Sequence, residues 1–328
     1  MNFLKFYMFL VPALAVSAAC GGGQASRSDA AAAEKTPPTA VSTPFDADSA
    51  YSYVAAQTAF GPRVPGSQAH RLCGDYIAGK LRQAGLAVSF QDTVIIDGNG
   101  ARRPVRNIIG SFRPSAPTTV LLAAHYDSRP NADQDPDPAN HSKPIDGAND
   151  GASGVAVILE LARHLSSLPE NVGVEVAILD QEDNGDYAGD DELWCIGSQA
   201  WAQMARNRAT LPAMGILLDM VGGRDAVFNP ELFSKTYAPA LVTHVWSTAA
   251  KNGYAHRFPT KIGGALNDDH LYIMRAGVPC IDIVESANPA TGSFNPTWHT
   301  LDDTLENIDP ATLKAVGDVV LLSLKTIN

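Results

Sequence analysis

The chain predicts an α/β fold, a three-layer sandwich whose mixed central sheet carries helices on both faces. Three observations lead there. Short apolar runs alternate along the chain with stretches of helical spacing. The run 119–124 is strongly apolar, as in a strand covered on both faces. With 45% hydrophobic and 18% charged residues in 328, the chain has the side chains for one large core.

The first element is a targeting segment. Lys5 precedes the apolar run 6–16, which is too short to span a bilayer and is followed by Ser17-Ala18-Ala19 and Cys20. This is the pattern of a bacterial lipoprotein signal, the alternative being an ordinary secretory signal in which Cys20 is incidental. The expected location is the bacterial cell envelope, on its periplasmic side, with the protein lipid-anchored at Cys20. Residues 21–45, rich in Gly, Ala, Ser, Thr and Pro, read as a flexible tether, leaving 46–328 as a single catalytic domain.

Within that domain, 48–60 and 68–84 have helical periodicity, the second stopped by Gly85. Strands are expected at 87–96, 105–112 and 119–124, a helix at 153–168, and a strand at 172–179. A helix at 194–207, a strand at 214–221 and one long helix at 232–252 follow. A short helix at 268–276, a strand at 278–284 and a closing helix at 310–327 complete the alternation of strand and helix that implies the layered sheet.

Composition narrows the function. Twenty-four Lys and Arg against 35 Asp and Glu, a formal charge of −11, disfavour nucleic acid and anionic membrane surfaces as partners. Such a surface suits a substrate with a free amino terminus. Cys73, Cys195 and Cys280 form neither a Cys-x-x-Cys pair nor a disulfide framework and read as small buried apolar residues.

In layered α/β sheets ligands bind beyond the carboxyl ends of the strands, and those ends are here rich in chemistry. One strand delivers His125-Tyr126-Asp127, the next Asp180-Gln181-Glu182-Asp183, another Asp219, and the last leads to Trp298-His299. Asp150 sits in the small-residue loop Gly147-Ala148-Asn149-Asp150-Gly151-Ala152. Two carboxylates and an imidazole with one open position suit a catalytic zinc, and Asp150, Asp183 and His299 are the candidates. Taken singly, Asp150 could cap a helix, Asp183 could turn the chain and His299 could be a core histidine. Glu182, beside the ligand Asp183, is placed to act as general base and acid. The indoles of Trp194 and Trp298 are candidates for the walls of a narrow substrate pocket, with core packing as the alternative. The acids of 186–191 read as solvated, and the other histidines have no motif context beyond His270.

The ordered motifs resemble the zinc aminopeptidase superfamily and, within it, the glutaminyl-peptide cyclotransferases. They are His125-Tyr126-Asp127-Ser128, the Asp150 loop, Glu182-Asp183, Leu217-Leu218-Asp219, Asp268-Asp269-His270 and Trp298-His299-Thr300-Leu301-Asp302-Asp303. Hydrolases of the superfamily bind two zinc ions and use His125-like and Asp219-like ligands, both present here. The cyclotransferases use one zinc and place the Asp219-like residue in an acid network with Glu182-like and Asp268-like residues. Trp298 before His299, and Asp268-Asp269-His270 opening a helix, match that second pattern; Asp183, where the family usually has Glu, departs from it. The resemblance thus implies one zinc ion, catalytic Glu182, Asp219 and Asp268, and conversion of N-terminal glutamine to pyroglutamate with loss of ammonia. The implied partners are peptides or proteins with N-terminal Gln, no nucleic acid, and a membrane reached only through the lipid, for a monomer. The rivals are a two-zinc aminopeptidase and a non-catalytic peptide-binding lipoprotein.

Overall fold

The strands of the computed structural model are β1 (Ala87–Ile96), β2 (Arg102–Phe112), β3 (Thr118–His125), β4 (Val172–Leu179), β5 (Met214–Asp219) and β6 (Cys280–Val284). Residues 43–187, 189 and 191–327 are described. The expected signal, Cys20 and the tether up to residue 42 lie outside the described residues. The sheet order is β1-β2-β4-β3-β5-β6; β1, β2 and β4 pair antiparallel, and β4, β3, β5 and β6 pair parallel. This is the mixed sheet that the alternating pattern predicts.

Each central strand feeds two cores through its period of two. Val120, Leu122 and Ala124 of β3 face one cluster, with Val174, Val176 and Ile178 of β4, Ile216 and Leu218 of β5, and Ile281 and Ile283 of β6. That side is covered by α1 (Ala47–Thr58), α2 (Gln68–Gln83), α3 (Ala152–Ala162), α6 (Pro239–Lys251) and α8 (Pro310–Lys325). Leu121, Ala123, Ala177, Leu179 and Leu217 face the other side, against Trp201 of α4 (Ile196–Ala205) and Ile273 of α7 (Asp269–Arg275). Each large aliphatic side chain removed from water in these layers contributes about 1.5–3 kcal/mol.

Capping residues explain where the helices begin. Asp46 accepts the N–H of Asp48 and Ser49 at the start of α1, Ser67 that of His70 in α2, and Asp309 that of Ala311 ahead of Pro310 in α8. Three expectations need correction. The stretch 232–252 is two helices, α5 (Leu232–Tyr237) and α6, because Pro239 disfavours helical backbone at the residue before it, and Ala238 has φ −129°, ψ 46°. The helix 153–168 stops at Ala162, with a separate 3-10 turn at Leu165–Ser167. Phe45, taken as tether, is buried, and a Cβ on Gly317 of α8 would strike its ring at 2.2 Å, so packing starts before residue 46.

The chain crosses from one face to the other at β4. After β3 it enters α3 on the first face, and after β4 it enters α4 on the second, so the carboxyl ends of β3, β4 and β5 open a crevice between diverging connections. Gly154 lets α3 lie on the sheet, since a Cβ there would come within 2.1 Å of the Leu218 carbonyl.

Candidate active site

Each residue singled out at the strand ends arrives at this crevice by a local device. Asp150 precedes α3 in a turn whose next residue, Gly151, has φ 97° and no room for a side chain, a Cβ meeting the Asp127 carbonyl at 2.5 Å. The buried Asp303 carboxylate accepts the N–H groups of Asn149 (2.7 Å) and Asp150 (3.0 Å) and fixes that turn. Asp127 does the same after β4, accepting the N–H of Glu182 (3.1 Å) and of Asp183 (3.2 Å). Gln181, Cys195, Met220 and His299 all have φ between 48° and 57°, in the left-handed region that non-glycine residues seldom occupy. Strained backbone of this kind gathers at functional sites.

Two trios of ligand-type atoms result, sharing Asp150. In the first, His299 Nε2 lies 3.1 Å from Asp183 Oδ1 and 3.5 Å from Asp150 Oδ2. Asp183 Oδ2 is buried without a hydrogen-bond partner. In the second, His125 Nε2 lies 3.1 Å from Asp150 Oδ1 and 3.2 Å from Asp219 Oδ1. Asp150, Asp183 and His299 therefore come together as the sequence predicts, and Asp150 does not cap α3, which has no side-chain cap. The donor set of the first trio fits a metal ion: hard carboxylates plus one imidazole, buried, with an unpaired oxygen.

The electrostatics favour a cation. Burial opposes a charged imidazole, yet His299 is pushed well up by the carboxylates of Asp183, Asp133 and Asp150, and His125 by Asp127, Asp150 and Asp219. Burial would raise Asp150, but His125 and His299 outweigh it and hold it low. Glu182 goes the other way. Its burial, then repulsion from Asp268, Asp183 and Asp269, push its carboxyl well up against the pull of His125. Asp219 rises to about 7, chiefly through burial. Cys195 Sγ donates to Glu182 Oε1 at 3.3 Å, and Asp268 caps α7 beside them.

A cleft of about 250 Å³ opens over these groups, and Asp150, Glu182, Asp183, Asp219, Asp268 and His299 line it. Its aromatic walls are Trp194, whose ring lies parallel to His299 at 6.5 Å, and Trp298, stacked on the same imidazole at 3.9 Å. Phe294 backs Trp298 at 4.5 Å. Both indoles are partly exposed, as pocket walls require.

The sequence reading missed several contributors. Tyr187 sits in the loop read as solvated, yet its hydroxyl is 2.9 Å from His299 Nδ1 and its ring 5.0 Å from Trp194. Its signal was one aromatic among acids between two candidate segments. Arg129 and Asp133 follow the His125 motif and were passed over, as were the turn-holding roles of Asp127 and Asp303. His70 is buried against Asp180 at 2.8 Å and His270 against Glu231 at 3.1 Å. The three cysteines are free and buried, as expected.

Comparison with known proteins agrees with the geometry. The glutaminyl cyclase of Bacteroides thetaiotaomicron is 44% identical, covering 89% of this chain and 100% of its own, with a TM-score of 0.82. That of Porphyromonas gingivalis is 47% identical over 85% of this chain and 98% of its own, TM-score 0.81. A leucine aminopeptidase precursor of Bacteroides thetaiotaomicron is 43% identical over 88% and 100%, TM-score 0.82. The model of peptidase family M28 matches residues 107–324, from β2 through nearly all of α8 and so across every strand-end motif. With its parallel strand ends delivering the two trios around Asp150, this chain belongs to peptidase family M28.

Proposed function

We propose that the chain is a zinc-dependent glutaminyl-peptide cyclotransferase, converting N-terminal glutamine of peptides to pyroglutamate with release of ammonia. The observation that carries this reading is the inequality of the two trios. Asp150, Asp183 and His299 all border the cleft, whereas His125 of the second trio does not. One metal site thus faces substrate, and Asp219 is left to an acid cluster with Asp268. The names of relatives at 44% and 47% identity support the same choice.

Asp150, Asp183 and His299 would hold one zinc ion, which when bound polarises the glutamine side-chain carbonyl and stabilises negative charge on its oxygen. Glu182 takes a proton from the α-amine as it attacks that carbonyl carbon. The carbon–nitrogen bond of the side-chain amide then breaks, and Glu182 returns the proton to the departing ammonia. A carboxyl raised by burial is suited to both halves of that transfer. Asp219 and Asp268 hold the amine and Glu182 in position, while Trp194 and Trp298 confine the side chain so that the tethered nucleophile meets its target. The substrates are peptides or proteins with N-terminal Gln, reached from the periplasmic side by a monomer anchored through Cys20; the amino-terminal sequence and the acidic composition support that setting.

Incubation of purified protein with a Gln-initiated peptide tests the reaction. The peptide should lose the mass of ammonia, and release of free glutamine would sink the cyclase reading. The second reading, a two-zinc aminopeptidase, rests on the His125, Asp150 and Asp219 trio. Two tightly bound zinc ions per chain together with amino acid release would favour it.

A further inference from the structure

Among the described residues, two buried guanidiniums pack beneath the ligand turns: Arg63, which donates to the Gly147 carbonyl (2.7 Å) ahead of Asp150, and Arg129, with its side chain 2% exposed, beneath the turn of Asp183. Arg129 Nη1 donates to the carbonyls of Asp183 (3.0 Å) and Gly185 (3.1 Å) and lies 3.5 Å from Asp183 Oδ1. Its Nε and Nη2 donate to the Asp133 carboxylate, at 3.1 Å and 2.5 Å to Oδ2. Asp133 Oδ1 in turn lies 3.2 Å from His299 Nδ1. The guanidinium also stacks under Trp194 (4.6 Å) and Tyr187 (5.0 Å).

We infer that Arg129 and Asp133 form a clamp that sets the metal affinity of the site by positioning Asp183 and His299 together. The inference rests on the zinc reading given above. An imidazole that binds metal through Nε2 carries its proton on Nδ1, and that proton needs an acceptor to fix the ring's tautomer and orientation. Two oxygens face it, the Tyr187 hydroxyl and the Asp133 carboxylate. The ionised one makes the stronger hydrogen bond, and it is itself held two-pronged by Arg129. A planar fork can hold a carboxylate on one edge and two backbone carbonyls on another, which a lysine ammonium cannot. The same group therefore ties the turn after β4, the loop after β3 and, through Asp133, the loop after β6. Asp133 is separated by 166 positions from the histidine it steadies. Arg129 and Asp133 are positioning residues, since neither borders the cleft.

Full-length protein stripped of metal and titrated with zinc against a chromogenic chelator gives the dissociation constant directly, without activity. Asp133→Ala should bind zinc about 10- to 100-fold more weakly, with Asp133→Asn in between because it keeps an acceptor oxygen without the charge. Arg129→Lys, which keeps the charge and loses the fork, should also bind more weakly. Because Asp133 is 24% exposed at its side chain, the metal-free variants should melt with the metal-free parent; if Asp133→Ala does not fold, Asp133→Asn decides the matter. Tight zinc binding by the parent with equal affinity in Asp133→Ala, or in Asp133→Asn should Ala fail, overturns the clamp. So does a loss confined to Tyr187→Phe, or full affinity in Arg129→Lys. A parent that does not bind zinc overturns instead the reading of the site on which the inference stands.

Discussion

Glu182 sits where burial and neighbouring acids favour its protonated form, while the peptide N–H groups before and after it are held by Asp127 and the carboxylate touches Cys195. A side chain so held has one orientation from which to collect and return a proton. Glu182→Gln keeps volume and hydrogen bonding but cannot carry the proton. Its kcat should fall about 10²- to 10⁴-fold with zinc content unchanged, measured by ammonia release and metal analysis on the same sample. Full activity in that variant would exclude Glu182 as the base. Glu182, Asp183 and Asp219 were legible because each ends or directly follows an apolar strand run, and Asp150, Asp268 and His299 because each stands in an ordered motif beside a helix start or a tryptophan. Tyr187 and Arg129 were not, because their roles depend on contacts with His299, Asp183 and Asp133 that no local pattern records.

At the level of elements, α3 and the β1–β2 hairpin show opposite constraints. α3 lies so close to β5 that Gly154 cannot gain a methyl group without moving the helix that follows Asp150. Gly154→Ala should destabilise the protein by about 1–3 kcal/mol or more, read from denaturant unfolding, and should weaken zinc binding as Asp150 shifts. Unchanged stability would mean that α3 is more loosely seated than this. In the hairpin turn, Asp97 is held below the usual carboxylate range by Arg103, whose Nε donates to it at 2.8 Å, and by the N–H groups of Ala101 and Asn99. Because the folded-state value is depressed, the ionised carboxylate stabilises the fold above the unfolded value near 3.9, and that contribution disappears as pH falls through the folded value. Asp97→Asn should therefore be less stable than the parent at neutral pH, and the two melting curves should converge in acid. A gap that persists at low pH would point to a packing effect instead. The break between α5 and α6 belongs to this scale too. Periodicity alone joins 232–252 into one helix, although Pro239 carried the stop signal.

For the molecule as a whole, the buried trios gather three carboxylates against two imidazoles, with the Arg129 guanidinium 3.5 Å from Asp183 and further acids, Glu182 and Asp268, beside them. A bound cation should stabilise the folded chain by mass action. At zinc 1,000 times its dissociation constant the gain is about 4 kcal/mol, so chelation should lower the melting temperature and stoichiometric zinc should restore it. One ion per chain is expected. A melting temperature indifferent to both additions would argue against a metal in this crevice. No helix among the described residues is long and apolar enough to cross a membrane, which leaves the amino-terminal segment as the basis for the proposed anchor.

Sequence by itself determined the layers and the order of their elements. Alternation between periods of two and 3.6 records which face of each segment leaves water, and that record is local. It also determined that acids and imidazoles stand after strands, since they interrupt apolar runs. Tertiary structure decided which of them meet. Asp150 is shared by two trios, Asp303 and Asp127 hold the ligand turns, and Arg129 with Asp133 joins three loops distant along the chain. Tertiary structure also decided that one trio borders the cleft while His125 is closed behind it. Those outcomes depend on angles and distances of a few ångströms set by the packing of α3 and α4 on opposite faces of the sheet, and side-chain identity at a position carries no such distance.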